Sequence, residues 1–340
     1  ASAVGLQYLL TDQRLSVILT LPGSAPIAYQ RAIDRKVVYD RITEALMQVQ
    51  TPSVDPTVGS RALRELHEWL IAPVAKDLER FGARTLMLSL DDKLRLLPFA
   101  ALIDPHGRYV VERYTVSLFN EAARQALERR GRPAWRIAAM GLSEPVDDLP
   151  ALPSVPDEIR SVVESAGRAG ATYLNAEFDR SRLLGSLNED FDVLHIASHF
   201  VFVNGKPAQS RLYLGDKTRM TLADITREGL RFDRLELVTL SACDTARGGG
   251  QYADGNELES LGARTQNQGA QAVLAALWRV SDSSTSAFMK AFYDFRNRAG
   301  LNKTAALRAA QLQMISGTKD RADRRAPYHW AAFVLMGNWR

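Results

Sequence analysis

Asp192-Val193-Leu194-His195-Ile196-Ala197-Ser198-His199 is the stretch whose reading decides the fold. Read as a helix, its two histidines, four residues apart, would face a single metal ion. Read as a strand, it is a short buried run that carries a histidine to its carboxyl end. The apolar and β-branched residues Val193, Leu194 and Ile196 favour the strand, and no glutamate follows His195 to serve a helical zinc site. His195, inside the run, then reads as a hydrogen-bonded strand histidine, and His199 stands at the strand's end.

Working outward, the same pattern recurs. Leu235 to Leu240 is a second apolar run, and it gives way to Ser241-Ala242-Cys243-Asp244-Thr245 and then Gly248-Gly249-Gly250. Further strand-like runs fall at Arg136 to Gly141, Ala171 to Leu174, Ala272 to Leu277 and Ala332 to Met336. Helical spacing marks Pro156 to Ser165, Asp179 to Leu187, Glu257 to Gln266, Ser283 to Arg298 and Lys303 to Gln313. Such alternation predicts an α/β fold with a mostly parallel sheet covered on both faces, whose strands are apolar throughout.

Upstream, Gln7 to Leu10 and Arg14 to Leu21 read as a hairpin around Thr11-Asp12-Gln13. Helices are expected at Arg31 to Gln50 and Ser60 to Phe81, strands at Leu86 to Leu90 and Leu94 to Leu97, and a charged helix at Glu121 to Arg130. The break at Gly131-Arg132-Pro133 divides the chain into two expected lobes, residues 1–133 and 134–340.

Composition narrows the function classes. The 340 residues are 46% hydrophobic and 24% charged, ordinary for a globular protein large enough for two cores. One cysteine excludes an internal disulfide framework and any multi-cysteine zinc or iron–sulfur site, so the expected compartment is the reducing cytoplasm. No run approaches the ~20 apolar residues of a membrane span. The net charge of +4 comes from arginines scattered among acids, without the aromatic interleaving of a nucleic-acid surface. Because residue 1 is not Met, the sequence reads as a piece of a longer protein whose remainder holds a regulatory region.

Functional groups of a parallel sheet gather beyond the carboxyl ends of its strands. His199 and Cys243 both fall there, 44 residues apart, an interval ample for a crossover between neighbouring parallel strands. A thiol with an ordinary pKa near ~8.5 needs an adjacent base to become a nucleophile, and the imidazole supplies one. Backbone N–H groups near Phe200 and Cys243 are candidate oxyanion donors. A buried, inert cysteine is the other reading of Cys243. Leu277-Trp278-Arg279-Val280-Ser281-Asp282 ends the next strand, so Asp282 either binds a cationic substrate side chain or caps the helix starting at Ser283. Asp244 either adds negative potential near the thiol or caps the following turn. Gly248 to Ala253 matches a dinucleotide fingerprint only in letters, since no helix follows directly; a substrate-covering or activation loop over Arg247 to Asn256 fits better.

Together, His195-Ile196-Ala197-Ser198-His199, Leu240-Ser241-Ala242-Cys243-Asp244-Thr245, Leu277-Trp278-Arg279-Val280-Ser281-Asp282 and the closing His329-Trp330-Ala331-Ala332-Phe333-Val334-Leu335-Met336-Gly337 resemble the CHAT domain, a caspase-like peptidase domain often attached to TPR repeats. Leu96-Leu97-Pro98-Phe99-Ala100-Ala101-Leu102 is similar to the same family. The resemblance runs from about Gln7 to Trp339, and caspases, metacaspases and separase share its clan. It implies a catalytic caspase-like lobe preceded by a pseudo-caspase-like lobe, a His199–Cys243 dyad that needs no cofactor and no metal, and an S1 contact at Asp282 beside Trp278 that favours Arg or Lys. It also implies a protein or peptide substrate, and control by TPR repeats or a separate activator.

Two positions depart from the pattern. Phe200 follows His199 where caspase-like relatives usually have glycine, which would narrow the oxyanion region or the S1 entrance. The Ser-Ala-Cys-Asp-Thr context differs from the caspase Gln-Ala-Cys signature, so cleavage after aspartate is not implied. A latent enzyme and an inactive caspase-like scaffold remain open as alternatives.

Overall fold

The computed structural model of the chain describes residues 2–52, 60–167, 170–201, 203, 206, 208–227, 230–241, 265–317 and 324–340. Its frame is an eleven-stranded mixed sheet. One half starts as an antiparallel meander of β1 (Ala3–Thr11), β2 (Arg14–Thr20) and β3 (Ile27–Ala32). Two strands parallel to β1, β4 (Thr85–Ser89) and β5 (Thr115–Leu118), follow on its other side. The other half is built from β6 (Ile137–Gly141), β7 (Ala171–Leu174), β8 (Val193–Ala197), β12 (Leu237–Leu240), β13 (Ala272–Ala276) and β14 (Phe333–Gly337), in the order β7-β6-β8-β12-β13-β14. All of these are parallel except β14, which runs antiparallel to β13 and parallel to β5. The final strand therefore joins the halves into one sheet, and the buried Ser117 hydroxyl reaches the carbonyls of Leu335 and Gly337 across that seam. A separate antiparallel sheet of β9 (Phe200–Val201), β10 (Arg211–Tyr213) and β11 (Arg219–Thr221) lies directly after His199.

Every residue of β6, β8, β12 and β13 is buried, as a parallel sheet covered on both faces requires. Helix α5 (Val155–Ser165) packs on β6 and on α8 (Asp282–Asn297), and α8 packs in turn on α9 (Lys303–Ser316), which lies over β5 and β14. The approach of α5 to β6 depends on Gly141, where a Cβ would come within 2.3 Å of Val155 Cγ1. Among the described residues, no helix is long and apolar enough to cross a membrane.

The amino-terminal half departs from expectation in four places. The helix expected from Arg31 starts as α1 (Arg35–Val49), because Asp34 caps it by accepting the Lys36 N–H at 2.7 Å. The preceding residues form β3, an edge strand exposed at nearly every position and so without the alternation that marks a strand. Ser60 to Phe81 divides into α2 (Arg61–Leu70) and α3 (Ala75–Phe81), with Pro73 in the short 3-10 turn between them. Leu94 to Leu97 is no strand: Asp92 takes a left-handed backbone (φ 50°), and Asp92–Leu96 closes a 3-10 turn. Finally, Glu121 to Arg130 forms two 3-10 turns, and the Asn338 amide donates to the Ala126 and Arg129 carbonyls at the end of the second. Two short helices, α4 (Val110–Arg113) and α7 (Leu222–Arg227), flank β5 and β11, and α6 (Arg180–Asn188) precedes β8.

Candidate functional site

The ladder between β8 and β12 pairs Leu237 with Val193, Val238 with Leu194, Thr239 with His195 and Leu240 with Ile196, a constant offset of 44 residues. The Ser241 N–H continues it by donating to the Ile196 carbonyl at 2.8 Å. Ser241 is the last described residue of this strand end. Cys243, Asp244, the Gly248 to Gly250 run and the Arg247 to Asn256 segment lie outside the described residues, as does most of the expected Glu257 to Gln266 helix.

Beyond the carboxyl ends of β8, β12 and β13 opens a cleft. His199, Glu158 and Ser241 line it, together with the apolar walls of Val155, Val280 and Trp278. Asp282 and Arg279 are also in the lining, so the cleft holds charges of both signs. His199 is 3% exposed, and its Nε2 lies 2.9 Å from the Pro150 carbonyl. A carbonyl can only accept, so Nε2 carries the hydrogen and the neutral ring keeps its lone pair on Nδ1. The Pro150 carbonyl therefore selects the tautomer.

Beneath the cleft lies a buried polar network that sequence reading did not find. Glu158 Oε1 accepts from His195 Nε2 at 2.9 Å and from the Ser241 hydroxyl. His195 Nδ1 lies 3.3 Å from the Tyr293 hydroxyl, which is 2.8 Å from Thr239 Oγ1. One donor sequence satisfies every group: Thr239 donates to Tyr293, Tyr293 to His195, and His195 to the Glu158 carboxylate. Burial, and then the charge of Glu158, push the Tyr293 phenol far up, against the lowering effect of its Thr239 hydrogen bond, so it stays a neutral donor. His195 is fully buried inside the strand and hydrogen-bonded to Glu158 and Tyr293, whereas His199 lies past the strand's end with its ring on the Pro150 carbonyl. Among the described residues no cluster of three or more His, Cys, Asp or Glu side chains is placed to hold a metal.

The signal for Glu158 was present in the sequence. Val155, Glu158, Ile159 and Val162 share the i, i+3, i+4, i+7 face of α5, so an acid occupies a core position. Its place in the first helical turn, where acids commonly complement the helix dipole, disguises it.

The remaining expected site residues fall as follows. Asp282 is the first residue of α8, whose N-cap is Ser281, so it does not cap its own helix. Its Oδ2 instead accepts the backbone N–H of Ser154 at 2.6 Å, and Ser154 is the N-cap of α5. Trp278 is 5% exposed and donates its indole N–H to the Tyr328 carbonyl at 3.2 Å. Phe200 lies in β9, buried in the main apolar core and outside the lining of the cleft.

Residues 60–338 match the family model of the CHAT domain. No curated protein sequence matches the chain. Among solved structures, it is similar to the Arg-specific cysteine proteinase gingipain R, with 7% identity and a TM-score of 0.52 over 90% of this chain and 74% of the other. It is similar too to a chain of the Saccharomyces cerevisiae separase–securin complex, with 10% identity and a TM-score of 0.56 over 99% of this chain. The sequence spans only 30% of that second chain. A third likeness is to the complex of the Porphyromonas gingivalis RgpB pro- and mature domains, at 8% identity and a TM-score of 0.51, covering 89% and 76% of the two chains. At these identities the likeness is one of fold, that of caspase-like cysteine peptidases.

Proposed function

Since the chain belongs to the CHAT family, we propose that it is a cysteine endopeptidase, with Cys243 as nucleophile and His199 as general base and acid. The observation that carries this reading is the 44-residue offset of the β8–β12 ladder, which equals the interval from His199 to Cys243. Cys243 also follows Ser241 by two residues in the sequence, and Ser241 lines the same cleft as His199.

The chemistry follows from the ring's hydrogen bonding. Nδ1 takes the thiol proton while Nε2–H stays on the Pro150 carbonyl. The thiolate sulfur attacks the substrate carbonyl carbon, and the tetrahedral oxyanion is held by backbone N–H groups at the strand ends. The imidazolium then returns its proton to the departing amine, leaving a thioester that water, deprotonated by the same Nδ1, hydrolyses.

Val155, Val280 and Trp278 line the same cleft as Asp282. Those walls suit the aliphatic stem of Arg or Lys, and the carboxylate suits its charge. Gingipain R, which shares the fold, is Arg-specific. Because Arg279 lines the same cleft, the test uses fluorogenic peptides with basic, neutral and acidic P1 residues. Cleavage of the basic set that disappears in Cys243→Ala is expected; cleavage that persists in that variant refutes the assignment. We place control of this activity in a TPR-type region or a separate activator protein.

A further inference from the structure

His199 sits in a closed ring of hydrogen bonds that returns to the same residue. From its carbonyl, the path runs to the backbone N–H of Tyr213, which donates at 2.9 Å. The Tyr213 phenol donates to Asp147 Oδ2 at 2.8 Å. Asp147 sits in the turn between Val146 and Leu149, whose N–H and carbonyl groups bond reciprocally at 3.3 and 2.9 Å. The residue after Leu149 is Pro150, whose carbonyl accepts from His199 Nε2 at 2.9 Å.

Each link is reinforced. Ser198 donates its hydroxyl to the Tyr213 carbonyl at 2.6 Å, so both backbone polar groups of Tyr213 grip the end of β8. Arg219 donates to the same Asp147 oxygen at 2.6 Å, and Arg211 Nε donates to the phenol oxygen at 3.1 Å. The two guanidiniums lie 5.3 and 5.7 Å from the centroid of the Tyr213 ring. Tyr213 is 1% exposed and packs with Leu142, Val146, Leu149 and Val201 in a small apolar cluster distinct from the main core. Asp147 has a left-handed backbone (φ 51°), which Asp and Asn tolerate better than other side-chain-bearing residues.

We propose that Tyr213 and Asp147 are positioning residues for His199: by fixing the Val146–Leu149 turn against β10, they hold the Pro150 carbonyl on Nε2 and so keep Nδ1 as the basic nitrogen. This deepens the peptidase reading and rests on it. The three-stranded sheet after His199 thereby acquires a role, because its central strand carries the residue that ties the histidine's backbone to the acceptor of its ring. Without the phenol–carboxylate bond, the turn keeps its reciprocal backbone pair, its apolar packing and the solvent-exposed Arg219–Asp147 ion pair, but loses its tie to β10 through the buried phenol. Pro150 then loses its fixed distance to the ring, and the competing Nδ1–H tautomer, useless as a base at that position, becomes populated.

The test uses the ¹⁵N-labelled protein near pH ~8.5, where an ordinary imidazole is neutral. Long-range proton–nitrogen spectra read which nitrogen of His199 carries the hydrogen, and iodoacetamide alkylation of the single cysteine reads reactivity. Wild type is expected to show Nε2–H. Tyr213→Phe and Asp147→Ala are expected to populate Nδ1–H and to slow alkylation about tenfold, the effect of one hydrogen bond. Asp147→Asn keeps an acceptor and the favourable backbone, and is expected to stay within about threefold of wild type. Both Asp147 variants change a partly exposed side chain, so they test the ring even if Tyr213→Phe fails to fold. Folded Tyr213→Phe or Asp147→Ala protein that retains both the Nε2–H tautomer and the wild-type rate overturns the proposal. Failure of the underlying dyad looks different: His199→Ala would leave the alkylation rate unchanged while the tautomer signal of the other variants still reports on the ring.

Discussion

Replacing Lys303 with Met is expected to stabilise the protein at neutral pH. Lys303 is the first residue of α9 and is fully buried, and its Nζ has no hydrogen-bond partner among the described residues. A cation at a helix N-terminus also opposes the helix dipole. Burial lowers its pKa from 10.5 to about 8, against the attraction of Glu236 and together with the repulsion of Arg296. The folded state thus holds the proton less tightly than the unfolded chain. Stability rises with pH between about 8 and 10.5, where the unfolded chain is still protonated and the folded one is not, and the penalty is fully present below pH 8. A shift of that size corresponds to about 3 kcal/mol. Met keeps the length of the side chain and removes the charge. Urea denaturation at pH 7 should therefore show Lys303→Met more stable by up to about 3 kcal/mol, with the advantage shrinking towards pH 10. A variant that is less stable at pH 7, with the same pH slope as wild type, would refute the reasoning, because it would mean that the ammonium has a strong partner.

Three further outcomes follow from the site and its frame. Asp282→Asn keeps an acceptor for the Ser154 N–H but loses the charge, so kcat/KM for Arg or Lys peptides should fall roughly 10- to 100-fold while neutral peptides are little affected. Glu158→Ala leaves the buried His195 Nε2 and Ser241 hydroxyl unpaired, and urea denaturation should register a loss of about 3 kcal/mol, against about 1 kcal/mol for Glu158→Gln. Gly141→Ala drives a methyl group into Val155 at the start of α5, and should lower stability by about 1–3 kcal/mol in the same assay.

The half of the sheet that carries the site was legible because its strands are buried on both faces. Val193 to Ala197, Leu237 to Leu240 and Ala272 to Ala276 are unbroken apolar or small runs save His195 and Thr239, and the two polar residues meet through Tyr293. Helices α5, α8 and α9 begin within a residue of expectation because their apolar spacing is a local property, as is the Asn302 cap of α9. What depends on distant parts of the chain was not legible. Pro150 matters because its carbonyl meets a ring 49 residues away, and Asp282 caps a helix 128 residues before it. Edge strand β3 escaped for the opposite reason: water on both faces removes the pattern that burial imposes on a sequence.

The central claim is that His199 activates Cys243, and the pH dependence of Cys243 alkylation tests it most directly, since the chain has one cysteine to label. Wild type should react with a midpoint below the ordinary thiol value of ~8.5, and His199→Ala should move that midpoint back towards it. Superimposable profiles for the two proteins would contradict the account.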